Sequence, residues 1–301
     1  MDDYDVVILT DARYESPRAP DEYTRQVLLE DGLVATAIER CGLRVTRVDW
    51  ARSDFDFGTT RTAVFRSTWD YFVRIDEFRS WLERTAASTR FVNDIALVRW
   101  NIDKRYLLDL EVRGVRIAPI RFIDRGDDKP LAEHLDASGW SEVVLKPVIS
   151  GAGRETYRIA HVGVDDHEAT FRRLVASEGM MLQPFQQSIL VSGELYLMVI
   201  EGRTTHAVCK TASPGDFRVQ DDHGGRVRPH EPAADERSFA EAAVRQCTPR
   251  PLYARVDLVR DEKGKLALME LELIEPELFF RLHTPAADIL ARAIAKTLDA
   301  R

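Results

Sequence analysis

Two strongly apolar segments near the C-terminal end of the chain flank a polar turn, Asp-Glu-Lys-Gly, at residues 261–264. The segments read PLYARVDLV and KLALMELELI, and this pattern predicts a β-hairpin. If Arg260 pairs with Lys265 across the turn, the register of the other pairs follows. Strands this apolar are expected to be buried, so the few charged residues on them constrain what the chain can do.

The charged residues of the hairpin fall on one face in this register. Arg255 lies opposite Glu270. Asp257 lies opposite Leu268. Because side chains alternate along a strand, one face carries Arg255, Asp257, Glu270 and Glu272. A change of register by one residue would separate them.

These acids predict a metal site. Carboxylates on apolar strands are expensive to bury unless a cation compensates them, and magnesium prefers a few carboxylate oxygens together with the phosphates of a nucleotide. Asp257, Glu270 and Glu272 supply the carboxylates. The alternative is an edge hairpin with a solvated polar face, in which Arg255 and Glu270 form a surface pair. The repetition of the acidic pattern on both strands favours the metal site.

A predicted strand at residues 143–148 ends in a glycine loop. It carries a single lysine, Lys146, and leads into Ser150, Gly151 and Gly153. Glycines let backbone N–H groups approach a phosphate, and the lysine adds a charge. The loop matches neither a Walker loop nor a dinucleotide fingerprint, so it predicts a hairpin loop that closes over phosphate. The alternative is an ordinary turn between two strands.

A second lysine, Lys104, stands at the start of a helical stretch over residues 101–114. Taken alone, it indicates a solvated first turn of a helix with Asn101 as the N-cap. A phosphate contact is the competing interpretation, and the residue by itself does not decide between them.

Short apolar strands alternate with helical stretches over the first hundred residues, which predicts an open α/β lobe with parallel strands. A further strand is predicted at residues 117–122. From residue 180 the chain becomes rich in strands. Residues 212–232 are rich in Gly, Pro and Asp without periodicity and predict a mobile loop.

Composition excludes several classes of protein. The net charge of -8 disfavours a nucleic-acid binder, because phosphate neutralisation needs a basic face. No apolar run is long enough to span a bilayer, and the start of the chain lacks the features of a secretion signal. Cys41, Cys209 and Cys247 are not at metal-ligand spacing, which fits a reducing compartment. We therefore expect a cytoplasmic protein with neither a membrane nor a nucleic-acid partner.

Taken in order, WNIDKRYLLDLEVRGVRIAP, VLKPVISGAGRET, MLQPF and the hairpin resemble the ATP-grasp superfamily. The most similar members are the glutathione-synthetase-like and ribosomal-protein-glutamate-ligase-like ligases. The resemblance implies an α/β fold with α+β lobes: an N-terminal open parallel-sheet lobe over residues 1–98, a central lid lobe over 99–180, and a C-terminal antiparallel-sheet lobe over 181–301.

The resemblance also implies roles for individual residues. Those implied to contact ATP are Lys104, Lys146, Ser150, Gly151, Gly153, Gln183, Phe185 and Glu194. Those implied to bind two Mg²⁺ ions are Asp257, Glu270 and Glu272. The implied catalytic cations are Arg255, Arg218 and Lys210. The superfamily commonly has Asn where Glu272 stands, so this chain adds a negative charge and the number of ions stays open.

The segment FRSTWDYF, residues 65–72, resembles a subgroup of small biosynthetic ATP-grasp ligases. The subgroup includes the cyclo-ligase that makes cycloserine, an antibiotic, from O-ureido-serine. Since ligands bind at strand ends in open α/β lobes, we expect substrate contacts from Arg66, Ser67, Thr68, Trp69 and Asp70. The alternative is a loop that packs between lobes.

The resemblance implies an ATP-dependent carboxylate–amine ligase that forms an amide bond through an acyl phosphate on a small amino-acid-like substrate. Joining two molecules and closing a ring in one both stay open, as does a homo-oligomer. The competing functions are an ATP-grasp phosphotransferase, which would release a stable phosphorylated product, and a non-catalytic nucleotide-binding module.

Overall fold

Three β-sheets organise the protein, whose computed structural model describes residues 3–212 and 225–299. Each sheet is built from one stretch of the chain, in the order first, middle and last. No helix in these two ranges combines the length and the apolar character that a membrane span requires.

The first sheet is parallel and confirms the expected open α/β lobe. Its strands are β1 (Tyr4–Thr10), β2 (Val45–Asp49), β3 (Thr60–Ser67) and β4 (Arg90–Val92). They lie in the order β2-β1-β3-β4. The helices are α1 (Ala12–Glu15), α2 (Glu22–Arg40) and α3 (Ile75–Ala86). Four consecutive apolar residues of β1 are fully buried, as expected for a parallel strand covered on both faces.

Two short helices, α4 (Ile95–Asn101) and α5 (Tyr106–Val112), lead into the middle of the chain. The strands there are β5 (Arg121–Ile123), β6 (Glu142–Pro147), β7 (Tyr157–Ala160) and β8 (Met180–Pro184). They form an antiparallel sheet in the order β5-β8-β6-β7, with helices α6 (Leu131–Ser138) and α7 (Asp165–Ser177). Strands β6 and β7 form the expected hairpin around the glycine loop.

The predicted strand over residues 117–122 is wrong over most of its length. Only the residues of β5 pair in the middle sheet, whereas Ile117 bridges Leu268 near the C-terminal end. Pro119 has no N–H group and cannot donate to a ladder, so the chain passes from one sheet to the other there.

The last part of the chain forms a five-stranded antiparallel sheet. After helix α8 (Ser188–Ser192), its strands are β9 (Glu194–Ile200), β10 (Arg203–Thr211), β11 (Arg226–His230), β12 (Tyr253–Arg260) and β13 (Leu266–Glu272). The order is β11-β10-β9-β12-β13. Helix α9 (Ala234–Arg245) lies between β11 and β12 in sequence, and α10 (Pro285–Asp299) ends the described chain.

The prediction of a loop over residues 212–232 is wrong for its second half, because residues 226–230 form β11 and pair with β10. Pro229 is tolerated because β11 is an edge strand of the sheet. Residues 213–224, and with them Arg218, lie outside the described ranges.

The first and last sheets share one apolar core, which fixes their relative position. Val6 and Ile8 of β1 pack in the same buried cluster as Met198 of β9 and Ile294 of α10. The side chain of Asn93 adds polar ties, since its Nδ2 donates to the carbonyls of Tyr253 and Leu273, each at 2.8 Å. Apolar packing and hydrogen bonds therefore hold the first and last parts of the chain together.

Candidate active site

A cavity of about 1390 Å³, including its open mouth, lies where the three parts of the chain meet. Residues of the middle and last sheets line it, together with Tyr23 and Trp69 from the first part of the chain, the glycine loop and the segment after β13. Ligand sites commonly lie at such junctions, so this cavity is the candidate ligand site.

One wall of the cavity is the β12–β13 hairpin, and its register differs from the predicted one. Arg255 faces Glu272 rather than Glu270, and Asp257 faces Glu270 rather than Leu268. A β-bulge is responsible, because the partners of Asp257 and Leu258 are Glu270 and Leu268, which leaves Met269 as the extra residue.

The bulge also explains why the predicted face is right although the predicted pairs are wrong. At the turn, Arg260 pairs with Leu266, one residue away from the expected Lys265. Continued without interruption, that register would turn Glu270 and Glu272 away from Asp257. The extra residue restores the alternation, so all three carboxylates and Arg255 line the cavity.

Arg255 bridges two of the three carboxylates. Its Nε and Nη2 donate to the two carboxylate oxygens of Asp257, each at 2.8 Å, and Nη2 also donates to Oε1 of Glu272 at 2.5 Å. The guanidinium lies 4.4 Å from the centre of the Tyr196 ring. Arg255 is thus a buried cation held in place by an acidic and aromatic surrounding.

Both predicted nucleotide lysines converge on the third carboxylate. Lys104 Nζ lies 3.0 Å from Oε1 of Glu270 and donates to the carbonyl of Ser150, while Lys146 Nζ lies 3.7 Å from Oε2 of Glu270. Lys104 is buried, so the alternative of a solvated first turn is wrong. Asn101 is not an N-cap but the last residue of α4.

Asn101 instead ties α4 to the hairpin. Its Nδ2 donates to the carbonyl of Leu271 at 2.8 Å, and its Oδ1 accepts from the N–H of Leu273 at 2.9 Å. Through this contact the segment that carries Lys104 is held in register with the strand that carries Glu270.

Acids outnumber bases among the described residues that line the cavity. The acids are Glu194, Asp257, Glu270, Glu272, Glu275 and Glu277, and the bases are Lys104, Lys146, Lys210 and Arg255. Burial raises the pKa of Glu272 well above its usual range, and it raises the pKa of Glu194 to about 7. Burial acts on Glu270 in the same direction, but Lys104 and Lys146 lower its pKa to about 2.

The acidic residues that line the cavity offer the kind of ligand atom that a hard divalent cation prefers. They offer carboxylate oxygens only, and their mutual repulsion is not fully balanced by the basic residues present. Within residues 3–212 and 225–299, however, no three acidic, thiol or imidazole groups form a metal-binding cluster as they stand. Arg255 and the two lysines occupy the carboxylate oxygens that a metal ion would use.

The glycine loop forms the opposite wall, with Ser150, Gly151 and Gly153 lining the cavity. Gly153 has φ of +66°, in the left-handed region that favours glycine. A Cβ on Gly151 would stand 2.7 Å from Cε1 of Phe72, so this glycine allows the loop to approach the first part of the chain.

The end of the cavity near β8 contains Gln183 and Phe185, two of the residues implied to contact ATP. Gln183 is buried, and its Nε2 has no hydrogen-bond partner among the described residues, although it faces the cavity. The backbone N–H of Phe185 donates to the carbonyl of Glu142 at 2.9 Å, and Arg158 stacks on the Phe185 ring at 3.8 Å. The orphaned Gln183 amide can therefore donate to a ligand.

The residues predicted to contact substrate are divided by the structure. Trp69 lines the cavity, and Arg66 and Ser67 line a smaller adjoining cavity of about 280 Å³. Thr68 is fully buried and lines neither, and Asp70 accepts hydrogen bonds from Trp50 Nε1 at 2.6 Å and Arg74 Nη1 at 2.7 Å. The hydrogen bonds of Asp70 stay within the first part of the chain, whereas Arg66 and Trp69 reach the carbonyls of Pro276 and Glu275 in the last part.

Sequence reasoning missed two acids of the cavity, Glu275 and Glu277, which follow β13 directly. Glu277 pairs with Arg281 and lies 3.7 Å from Lys210 Nζ. Burial opposes its ionisation, but these two cations lower its pKa. The signal was the acidic pattern of the hairpin, which continues past the strand as Glu-Leu-Glu-Leu-Ile-Glu-Pro-Glu.

Solved structures with the same arrangement of sheets define the class. D-alanyl-alanine synthetase A from Vibrio cholerae superposes with a TM-score of 0.68 at 12% identity, covering 99% of both chains. The ATP-grasp ligase PsnB, solved with a precursor peptide and AMPPNP, superposes with a TM-score of 0.61 at 15% identity, covering 96% of this chain and 97% of PsnB. The fold is that of the ATP-grasp ligases, as the sequence predicts.

Closer relatives narrow this class. Residues 6–93 match the family described as D-cycloserine synthetase DcsG, N-terminal domain. The cycloserine biosynthesis protein DcsG of Streptomyces lavendulae is 30% identical over 292 residues, covering 93% of this chain and 95% of DcsG. The crystal structure of D-cycloserine synthetase DcsG superposes with a TM-score of 0.86 at 27% identity, covering 97% of this chain and 99% of that one. The chain belongs to the DcsG family of ATP-dependent ligases, which confirms the predicted subgroup.

Proposed function

We propose that this chain uses ATP to close a ring in a small amino acid, converting an O-ureido-serine-type substrate into cycloserine through an acyl phosphate. The observation that carries the proposal is the cavity wall on which Arg255, Asp257, Glu270 and Glu272 meet two lysines from other parts of the chain. Similarity to DcsG along nearly the whole chain supports ring closure in particular.

In this proposal the nucleotide binds between the glycine loop and the hairpin. Lys104 and Lys146 neutralise its phosphates, and Ser150, Gly151 and Gly153 cover them with backbone N–H groups. Adenine lies at the other end, where the buried Nε2 of Gln183 lacks a protein partner among the described residues. The backbone near Phe185 and the side chain of Glu194 complete the nucleotide contacts.

Asp257, Glu270 and Glu272 hold magnesium in this proposal, and we propose two ions. Bound magnesium neutralises charge on the nucleotide phosphates. The excess of acids in the cavity supports this assignment, since a chain without a use for a cation gains nothing from burying them. PsnB, which shares the fold, has been solved with Mg and ADP.

The chain's cations serve the chemical steps. An oxygen of the substrate carboxylate attacks the γ-phosphorus in line and ADP leaves, while Arg255, Lys210 and Arg218 neutralise the charge that spreads over the transferred group. The ureido nitrogen that is bonded to oxygen then displaces phosphate from the acyl carbon and closes the ring. One water molecule hydrolyses the bond between this nitrogen and the carbamoyl carbon, so the carbamoyl group leaves as carbamate, which breaks down to carbon dioxide and ammonia. The walls of the cavity restrict the access of water to the acyl phosphate.

The test is a product analysis. The purified protein is incubated with ATP, MgCl₂ and either D- or L-O-ureido-serine, and ADP, inorganic phosphate and cycloserine are quantified. We expect the three products in equal amounts with one enantiomer. A stable phosphorylated product without free phosphate would indicate a phosphotransferase, and ATP binding without ADP formation would indicate a non-catalytic module. Either result would overturn the proposal.

A further inference from the structure

Two of the six carboxylates that line the cavity, Glu194 and Glu275, form no ion pair among the described residues, whereas the other four do. Asp257 and Glu272 pair with Arg255, Glu270 pairs with two lysines, and Glu277 pairs with Arg281. Glu275 lines the same cavity, is only 9% exposed, and forms no ion pair among the described residues.

The protein groups around Glu275 do not replace a cation. The hydroxyl of Tyr71, a neutral group, acts on its carboxylate electrostatically. Lys104 acts on it electrostatically but is itself bound to Glu270 and Ser150. A buried carboxylate that faces a cavity and has no cation of its own is suited to a positively charged ligand.

Glu194 is the other cavity acid without an ion pair among the described residues, and its position separates it from Glu275. It begins β9 opposite Lys210 of β10, and its carboxylate accepts a hydrogen bond from the hydroxyl of Tyr196. It is assigned above to the nucleotide. Glu275 instead follows β13 and is joined to the aromatic residues of the first part of the chain.

One aromatic ring, that of Trp69, contacts Glu275, and the ring of Tyr23 lies next to Trp69. Trp69 Nε1 donates to the backbone carbonyl of Glu275 at 2.9 Å, and the rings of Trp69 and Tyr23 are 6.3 Å apart between centroids. Both rings line the cavity. A carboxylate combined with aromatic faces is the surrounding that proteins offer to an ammonium group.

The cations of the cavity suit the other end of such a ligand. Lys210 and Arg255 line the cavity together with Glu275, so a carboxylate can be drawn to them while an ammonium group is drawn to Glu275. An α-amino acid carries both groups on one carbon atom, and it therefore requires opposite charges on neighbouring walls of a site.

We infer that Glu275 binds the ammonium group of a zwitterionic α-amino acid substrate, with Trp69 and Tyr23 forming the aromatic side of that subsite. This inference rests on the proposed function, and it adds a requirement that the substrate amine be free. Binding of this kind orients the substrate so that its carboxylate, rather than its amine, meets the transferred phosphate.

The first experiment uses the unmodified protein. Calorimetry in the presence of AMPPNP and MgCl₂ compares the D and L forms of O-ureido-serine and serine with their N-acetyl derivatives. We expect the free amine to bind at least about tenfold more tightly than the acetylated compound, because acetylation removes a charged hydrogen bond. If no free amine binds more tightly than its acetylated form, the role of Glu275 is overturned.

The second experiment uses Glu275→Gln, which keeps the shape and removes the charge. Its affinity for the amino acid should fall by at least about tenfold while its affinity for AMPPNP stays unchanged. The matched control is Glu83→Gln, since Glu83 is exposed on α3 and pairs with Arg99. Unchanged amino-acid affinity in Glu275→Gln would overturn the inference, and the acetylation result stands if this variant does not fold.

The two proposals fail in different ways. Tight, amine-dependent binding without formation of cycloserine would refute ring closure and leave the role of Glu275 intact. Formation of cycloserine with equal use of free and acetylated amines would refute the role of Glu275 and leave ring closure intact.

Discussion

The β12–β13 hairpin and the segment of residues 65–72 both carry charged and polar side chains into the centre of the molecule, but they use them differently. On the hairpin, Arg255, Asp257 and Glu270 line the cavity. In the segment of residues 65–72, Arg66 Nη1 donates to the carbonyl of Pro276 and Asp70 accepts from Trp50, while Arg66 Nε has no hydrogen-bond partner among the described residues. Buried charge therefore does not by itself identify a reactive site.

What separates the two regions is whether the protein alone balances the charge. Around Arg66, the partners are Asp31 at 3.8 Å and the carbonyl of Pro276 at 2.9 Å, and both lie within the fold. Along the hairpin, acids exceed bases and leave room for ligands of opposite charge. We expect substitutions in the hairpin to alter activity and substitutions around Arg66 to alter stability.

The largest effect is expected for Glu270→Gln. The variant should lose activity by at least about a thousandfold, because it removes a proposed metal ligand and the shared partner of Lys104 and Lys146. The measurement is ADP release with substrate, together with thermal unfolding to show that the fold is retained. The control, Glu262→Gln, changes an exposed turn residue of the same hairpin and should keep activity. Full activity in Glu270→Gln would refute the assignment of the hairpin.

Arg66→Met tests the other region. It should lower the free energy of unfolding by about 3 kcal/mol, because it leaves the buried Asp31 with one cation fewer. Denaturant unfolding measures this loss, and the KM for ATP should stay at the wild-type value. If the variant were as stable as the wild type but could not use substrate, the structural role of Arg66 would be refuted. Arg66 would then be assigned to substrate binding.

A smaller effect is expected for Lys146→Met, which removes a charge from the cavity wall at nearly constant volume. The affinity for ATP should fall by about tenfold. Equilibrium binding of AMPPNP measures the change, and Lys263→Met in the exposed turn is the control. If the variant lost stability but kept its affinity for the nucleotide, Lys146 would have a structural role and not a role in binding ATP.

The smallest effect is expected for Ser67→Ala. Ser67 Oγ donates to Oδ2 of Asp31 at 2.7 Å and lies 2.7 Å from Thr10 Oγ1. Loss of these contacts should cost about 1 kcal/mol of unfolding free energy. Thermal and denaturant unfolding measure it. A change in the KM for the amino acid without a change in stability would count against the structural assignment.

Much of the architecture could be predicted because the patterns that encode it are local. The apolar run of β1, the glycine loop and the polar turn of the hairpin each determine an element within about ten residues. The passage of the chain at Pro119 and the edge strand β11 were missed, since both depend on partners that are distant in sequence.

The register of the hairpin was also mistaken, but a signal was present. Leu266 and Leu268 pack in the same apolar core as Leu271 and Leu273. The spacing between these leucines changes from two residues to three at Met269, which is the mark of a bulge. A register obtained by counting pairs outward from the turn does not detect this change in spacing. A register that keeps all four leucines on the buried face does detect it.

Glu275 was missed for a different reason. It lies beyond the last residue of β13, so the alternation rule does not reach it. The acidic pattern does continue to Glu275, but the contact of Glu275 with Trp69, more than two hundred residues away in sequence, is not encoded by any local pattern.

Because of the bulge at Met269, an insertion or deletion in the hairpin has a different effect at the turn than near the bulge. A residue added among positions 261–264 would enlarge the exposed turn and leave the paired rows as they are. A residue added or lost between Met269 and Glu272 would rotate the acids into the leucine core and bring leucines to the cavity. Engineered libraries of this enzyme can therefore vary the tip of the hairpin freely but must keep the count of residues at its base.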